Sequence, residues 1–302
     1  MIHRLIRPLT VALSIIALAA CGSSNSPMAM SGSPGVDLGD DLSGAAPTRI
    51  VSLSPSGTEM LFAIGAGDQV VAVDTYSYFP EGTPVTDLSG WEPNVEAIIG
   101  YEPDLVLMSY DPGDVVAGLE AAGVKAVVQP AAVVVADTYT QMLELGDLTG
   151  RSAQAAQVVA EIQIEMNALA DEAATAGAAG LTYYHELDDT LFSITSSTFI
   201  GEIYAMAGLV NVADAADPDG TAYGYPQLSA EFLVDAGPDF VFLADVECCA
   251  QTADVVAARA GWQTIPAIVE GRIVELPADI PSRWGPRIVD FLRVIVHAVT
   301  TG

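Results

Sequence analysis

From Arg151 to Ala176 the chain runs RSAQAAQVVAEIQIEMNALADEAATA, without one Gly or Pro and rich in strong helix formers. Val158, Ile162, Met166 and Leu169 recur at steps of four, four and three, with Val159 widening the stripe, while Glu161, Glu165 and Asp171 fall elsewhere. The stretch predicts one helix, punctuated by Gly150 and Gly177 and roughly 38 Å long at 1.5 Å per residue. A helix of that length crosses a small domain. It therefore constrains the fold to parts that one helix can join.

A repeat flanks it. Trp91-Glu92-Pro93-Asn94-Val95-Glu96-Ala97-Ile98-Ile99 is followed by Pro103-Asp104-Leu105-Val106-Leu107-Met108. Tyr225-Pro226-Gln227-Leu228-Ser229-Ala230-Glu231-Phe232-Leu233-Val234 is followed by Pro238-Asp239-Phe240-Val241-Phe242-Leu243. In each copy a Glu precedes Pro-Asp by the same spacing, and an apolar strand follows. An aromatic loop, a short helix, a turn that ends it and a buried parallel-type strand account for both. The expectation is α/β: two parallel-sheet lobes bridged by the long helix, with a ligand cleft between them. The N-terminal lobe spans 48–150, the bridging helix 151–177 and the C-terminal lobe 178–302.

The N-terminus reads as an export signal over 1–20. Arg4 and Arg7 precede an apolar run, Leu9 to Ala20, that is too short to span a bilayer. Leu18-Ala19-Ala20-Cys21 resembles a bacterial lipobox, which implies lipidation of Cys21 and a tether outside the cytoplasmic membrane. Residues 21–47, rich in Ser, Gly, Pro and Ala, read as a disordered linker. Loss of Arg4 and Arg7 with the signal leaves eight Lys and Arg against 39 Asp and Glu, a formal balance of −31, which argues against nucleic acid as a partner. Arg259, Arg272, Arg283, Arg287 and Arg293 cluster near the C-terminus, where a positive spot is expected.

The N-terminal lobe opens with a strand, Arg49 to Leu53, then Ser54-Pro55-Ser56-Gly57-Thr58-Glu59, where Ser56 and Glu59 have capping-box spacing. That corner suits either an anion or simple capping. A strand at Val70 to Val73 leads to a loop with three aromatics, Asp74-Thr75-Tyr76-Ser77-Tyr78-Phe79-Pro80. Helices at 113–123 and 137–145 enclose a strand at 124–128. In the second lobe strands are expected at 181–187, 192–194, 240–243 and 272–276. Helices are expected at 200–207, 230–236, 253–259 and 286–299.

Arg49-Ile50-Val51-Ser52-Leu53-Ser54-Pro55-Ser56-Gly57-Thr58-Glu59, Asp74-Thr75-Tyr76-Ser77, Ser89-Gly90-Trp91, Pro103-Asp104-Leu105-Val106 and Arg283-Trp284-Gly285-Pro286-Arg287 together resemble the helical-backbone substrate-binding lipoproteins of ABC importers for cobalamin and ferric siderophores. The resemblance covers nearly all of 48–300 and implies a monomeric, non-catalytic carrier without a cofactor, delivering a ligand to the permease and ATPase with little movement on binding. It places Tyr76, Trp91, Tyr225 and Asp279 at the cleft, and Glu96 and Glu231 at lobe tips that meet permease arginines. Tyr225 stands where the cobalamin branch has Trp. Arg283, Trp284 and Arg287 make a corner that suits an anionic siderophore or haem as well as a corrinoid, or arginines that only cap and pair.

Other chemistry finds little support. His185 and His297 lack metal-ligand spacing to one another, to Cys or to an Asp pair, so a zinc or manganese carrier is not expected. A lipoprotein esterase is the rival from another class, but no Gly-x-Ser-x-Gly elbow occurs. A pure adhesion or scaffold lipoprotein would bind no small molecule, and the aromatic loops favour a binder. Cys248 and Cys249 stand side by side in a chain expected in an oxidising compartment; a vicinal disulfide and two free thiols are the alternatives.

Overall fold

In a computed structural model of the chain, the structure describes residues 45–277 and 279–302. The signal reading, Cys21 and most of the linker reading lie outside these residues. In chain order the first lobe contains β1 (Ile50–Leu53), α1 (Pro55–Ala63), β2 (Val70–Asp74), β3 (Val85–Leu88), α2 (Val95–Ile99), β4 (Leu105–Met108), α3 (Val115–Ala121) and β5 (Lys125–Val128). Then come α4 (Val135–Thr149) and α5 (Ser152–Thr175). The second lobe contains β6 (Thr182–Glu186), α6 (Phe199–Met206), β7 (Val210–Asn211), α7 (Ala230–Ala236), β8 (Phe240–Leu243), α8 (Val246–Cys249), α9 (Ala253–Ala257), α10 (Pro266–Val269), β9 (Ile273–Glu275) and α11 (Ile288–Thr301).

The strands form two parallel sheets, ordered β3-β2-β1-β4-β5 and β7-β6-β8-β9. Central strands β1, β4 and β8 are buried along their whole length, as continuous apolar runs covered on both faces require. The repeat has a physical cause. Asp104 accepts from the backbone N of Thr48 (2.8 Å) and Arg49 (3.0 Å), and Asp239 accepts from the N of Thr182 (2.8 Å). Each Pro-Asp turn thus pins the entry to its lobe's first strand, and each repeat helix is capped alike: Asn94 accepts from Ala97 N and Ser229 from Phe232 N.

The long helix is α5, capped by Arg151 and Ala176. Its buried face is Ala155, Val159, Ile162, Met166, Leu169 and Ala173, so Val159 rather than Val158 lies on the central line. The bridge is a hairpin of two helices, because α4 packs along α5 after a turn at Gly150 and Arg151. Gly146 makes that approach feasible: a Cβ there would come within 2.4 Å of Ala155 Cβ. α11 packs along α5 and α6, and Glu202 of α6 accepts from Val135 N at the start of α4 (2.7 Å). One apolar core consequently runs from Ile50, Met60 and Leu107 through Met142, Ile162 and Met166 to Tyr204, Phe242 and Phe291. Smaller cores cover the outer face of each sheet.

Two local expectations change, and one strand is added. Phe192 to Ile194 is not a strand: Phe192 makes one bridge to Gln227, and Ser193 and Thr195 donate to Pro226 O and Gly224 O, so this segment pairs with a loop rather than a sheet. The α1 cap is Ser54, accepting from Gly57 N with Pro55 following it, whereas Ser56 is buried without a side-chain partner and Glu59 turns to the other lobe. β3, too polar to read as a strand, joins the sheet edge through the bond from Val73 N to Pro84 O.

Candidate functional site

Loops leaving the carboxyl ends of the strands carry the exposed aromatics, the usual ligand side of a parallel sheet. After β2, Asp74 is buried and accepts from Tyr76 N (3.0 Å); burial raises its carboxyl above the usual range against the opposing pull of Ser77, Tyr76 and Arg283. This fixes a loop that projects Tyr76, Tyr78 and Phe79, all exposed. After β3, Ser89 accepts from Trp91 N (3.2 Å) and Glu92 N (3.0 Å). Gly90 is obligatory here, since a Cβ would meet Asp74 Oδ2 and Leu53 O at 2.7 Å. Trp91 is left 71% exposed, flanked by Tyr110, whose hydroxyl donates to Trp91 O (3.1 Å) and whose ring centroid is 5.6 Å away.

On the second lobe Tyr225 is half exposed in a loop held by Thr195 N to Gly224 O and by Asp217, which accepts from Ala222 N and Gly224 N. Tyr223 beside it is 89% exposed. Asp279 sits between three donors: the Tyr78 hydroxyl, Arg283 Nη2 (3.0 Å) and, farther off, Arg287 Nη2 (3.9 Å). The hydrogen bond to Asp279 raises the Tyr78 phenol above its ordinary value. Arg287 also binds Glu59 and lies 4.2 Å over the Phe79 ring. Trp284 is partly buried against the main core.

The structure therefore brings Tyr78, Phe79, Asp279, Arg283 and Arg287 together in contacts that cross from one lobe to the other. Trp91 and Tyr110 form a second aromatic group. Among the described residues the expected positive spot is neutralised, because every arginine of the C-terminal cluster is ion-paired: Arg259 with Glu186, Arg272 with Asp239 and Glu270, Arg283 with Asp279, Arg287 with Glu59, and Arg293 with Glu165 and Asp290. Acidic residues outnumber basic ones so heavily that each guanidinium finds a carboxylate.

Tyr110 escaped the sequence reading, although it follows β4 as Tyr76 follows β2. Glu96 and Glu231 are exposed at the second position of α2 and α7. Cys248 and Cys249 are joined in a disulfide within α8. His185 is fully buried, bonds Tyr204 OH through Nδ1 (2.9 Å) and is pushed down to about 3 by desolvation, while His297 is exposed. Among the described residues no cluster of three or more His, Cys, Asp or Glu could hold a metal ion.

Comparison with known proteins accords with this geometry. A family model described as periplasmic binding protein matches residues 50–280. A cobalamin-binding protein of Halobacterium salinarum is 32% identical, over 83% of this chain and 69% of that protein. An uncharacterized ABC transporter substrate-binding lipoprotein of Bacillus subtilis, YvrC, is 28% identical, over 84% of this chain and 80% of that protein. The periplasmic heme-binding protein RhuT of Roseiflexus, solved in apo form, superposes with a TM-score of 0.73 at 23% identity, over 85% of this chain and 98% of that one, which speaks to the fold alone. With two parallel sheets facing one cleft across a helical bridge, the chain belongs to the periplasmic binding protein family, extracytoplasmic proteins that hold a solute rather than convert one.

Proposed function

We propose that this protein captures a metal chelate outside the cell membrane, cobalamin or another corrinoid, and delivers it unchanged to the permease and ATPase of an ABC importer. Lipidated Cys21 would anchor it, and Glu96 and Glu231 would seat it on the permease. The observation that carries the choice of ligand is the pairing of Arg283 with Asp279 and Arg287 with Glu59. With both guanidinium groups neutralised, what remains for a ligand is aromatic surface from Tyr76, Trp91, Tyr110 and Tyr225, with the partly exposed carboxylate of Asp279 beside Tyr78. Such a lining suits a large, flat, partly apolar macrocycle with amide edges. The name of the Halobacterium relative points the same way.

A ferric siderophore or haem is the second reading, favoured by the position of Arg283 and Arg287 next to Tyr78 and Phe79. An anionic ligand must then take a guanidinium away from a carboxylate that already holds it, which costs desolvation as well as an ion pair. Titration of cobinamide, cobalamin, haem and ferric siderophores against tryptophan fluorescence separates the readings. Corrinoids are expected to bind more tightly than about 10 μM, or about −7 kcal/mol. Corrinoid silence, with anionic chelates binding and Arg283→Ala plus Arg287→Ala abolishing that binding, would replace the first reading by the second.

A further inference from the structure

The segment after β8 has no place in the sites described so far, yet its support is unusually buried. β8 pairs with β6 so that Leu243 stands opposite Glu186, and Ala244 N donates to Glu186 O (2.9 Å). Glu186 is inaccessible to solvent, and both its oxygens are held by Arg259, at 2.6 Å and 2.5 Å. Arg259 lies 4.7 Å over the Trp262 ring and donates to Gln251 Oε1 (2.8 Å), while Gln251 Nε2 donates to Cys249 O (3.1 Å). From the other side, Asp245, also inaccessible, accepts at its backbone oxygen from Cys249 N (3.1 Å). Ala250 closes the turn in the left-handed region, at φ 53°.

A buried carboxylate, a guanidinium and an amide thus form a chain that ends on the backbone of one exposed disulfide turn. Cys248 and Glu247 face solvent. The turn leaves the carboxyl edge of its sheet, as the Tyr76 to Phe79 loop leaves the carboxyl edge of the other. The two edges meet: Tyr78 of that loop donates to Asp279, which follows β9, the strand paired with β8.

We infer that the Cys248–Cys249 turn is the wall of the cleft on the C-terminal lobe, facing the Tyr76 to Phe79 loop, and that its disulfide and the Glu186–Arg259–Gln251 chain hold it in place to contact the rim of a bound macrocycle. The contact would be apolar, made by the disulfide ring and flanked by Glu247, so it selects ligands with an uncharged edge. This inference rests on the chelate reading for its ligand, but the bracing of the turn by its disulfide and by Glu186, Arg259 and Gln251 stands without it.

The test uses the whole mature protein. Cyanocobalamin and dicyanocobinamide are titrated into the oxidised protein, into protein reduced with a phosphine and desalted without oxygen, and into Cys248→Ser/Cys249→Ser. Reduction and substitution are each expected to weaken binding about tenfold. Saturating cyanocobalamin is expected to slow alkylation of Cys248 in the reduced protein by about the fraction of time its site is filled. Affinity unchanged to within about twofold, or alkylation indifferent to ligand, overturns the wall. If no chelate binds the oxidised wild type, the chelate reading fails, and amide exchange in the ligand-free protein decides the bracing. Faster exchange at 245–251 on reduction supports it; exchange unchanged there overturns it.

Discussion

Arg287 lays its guanidinium across Glu59, with Nε 2.9 Å from Oε2 and Nη2 2.5 Å from Oε1, and so ties the start of α11 to α1 of the other lobe. Glu59 is almost wholly buried. Arg287→Ala strands that carboxylate, and a loss of about 3–5 kcal/mol in urea unfolding is expected. Replacing both partners by apolar residues, Glu59→Leu with Arg287→Met, should recover most of the loss. Equal losses in the single and double variants would refute the pairing argument.

Trp91 gives the opposite expectation. Its ring is held by little beyond Tyr110, so Trp91→Ala should alter unfolding free energy by less than about 1 kcal/mol. If it covers the ligand, chelate affinity falls by about 2 kcal/mol or more. Calorimetric titration beside thermal unfolding reads both numbers, and a large stability loss with intact affinity would assign the ring to packing.

The architecture was legible where sequence pattern and burial coincide. The α5 stripe, the fully apolar strands and the duplicated Pro-Asp turn each impose one local answer, and the turn does so through a carboxylate that binds backbone N–H groups. The site was legible only as residue types on loops. Nothing in the spacing of Glu59 and Arg287, or of Tyr78 and Asp279, shows that they meet, because those contacts arise only when the two lobes are docked. Glu59 was read as a local cap for this reason. β3 and β7 were missed because short, half-polar edge strands lack a periodic signal.

Burial and the neighbouring Glu186 charge push the Asp245 carboxyl up to about 7, while Arg259 opposes them. The folded protein therefore holds this proton more firmly than the unfolded chain, whose Asp titrates near 3.8. The stability so contributed is complete below that value and is lost as pH rises through about 7. Asp245→Asn, neutral throughout, should gain stability over the wild type progressively as the assay moves from acid to mildly alkaline buffer. A difference that shrinks over that range contradicts the assignment.

His185 acts with the reverse sign. Desolvation lowers it from 6.5 to about 3, so it is neutral when folded, and its contribution is present above 6.5 and lost as pH falls toward 3. His185→Gln, which can still meet the Tyr204 hydroxyl, should flatten the acid limb of the stability profile. Chemical denaturation at a series of pH values measures that slope; a limb as steep as the wild type's would acquit His185.

Reversing the charge of Glu96 and Glu231 together should stop importer-dependent uptake while chelate affinity in solution is retained. Both side chains are exposed, each at the second position of a short helix, so little folding energy is at stake. Uptake assays in cells paired with solution titration check this, and weakened chelate binding in the double variant would count against a docking role.

The junction between the lobes is apolar core: Ile162 and Met166 of α5 are continuous with Met60 on one side and Phe291 on the other. A hinge needs a thin place, and here prying the halves apart would strip packed side chains at about 25 cal/mol for each Å² wetted. If the importer reading holds, a solute gripped between such halves is released by work that the permease does on them, and unloading keeps the partner's pace, not the carrier's.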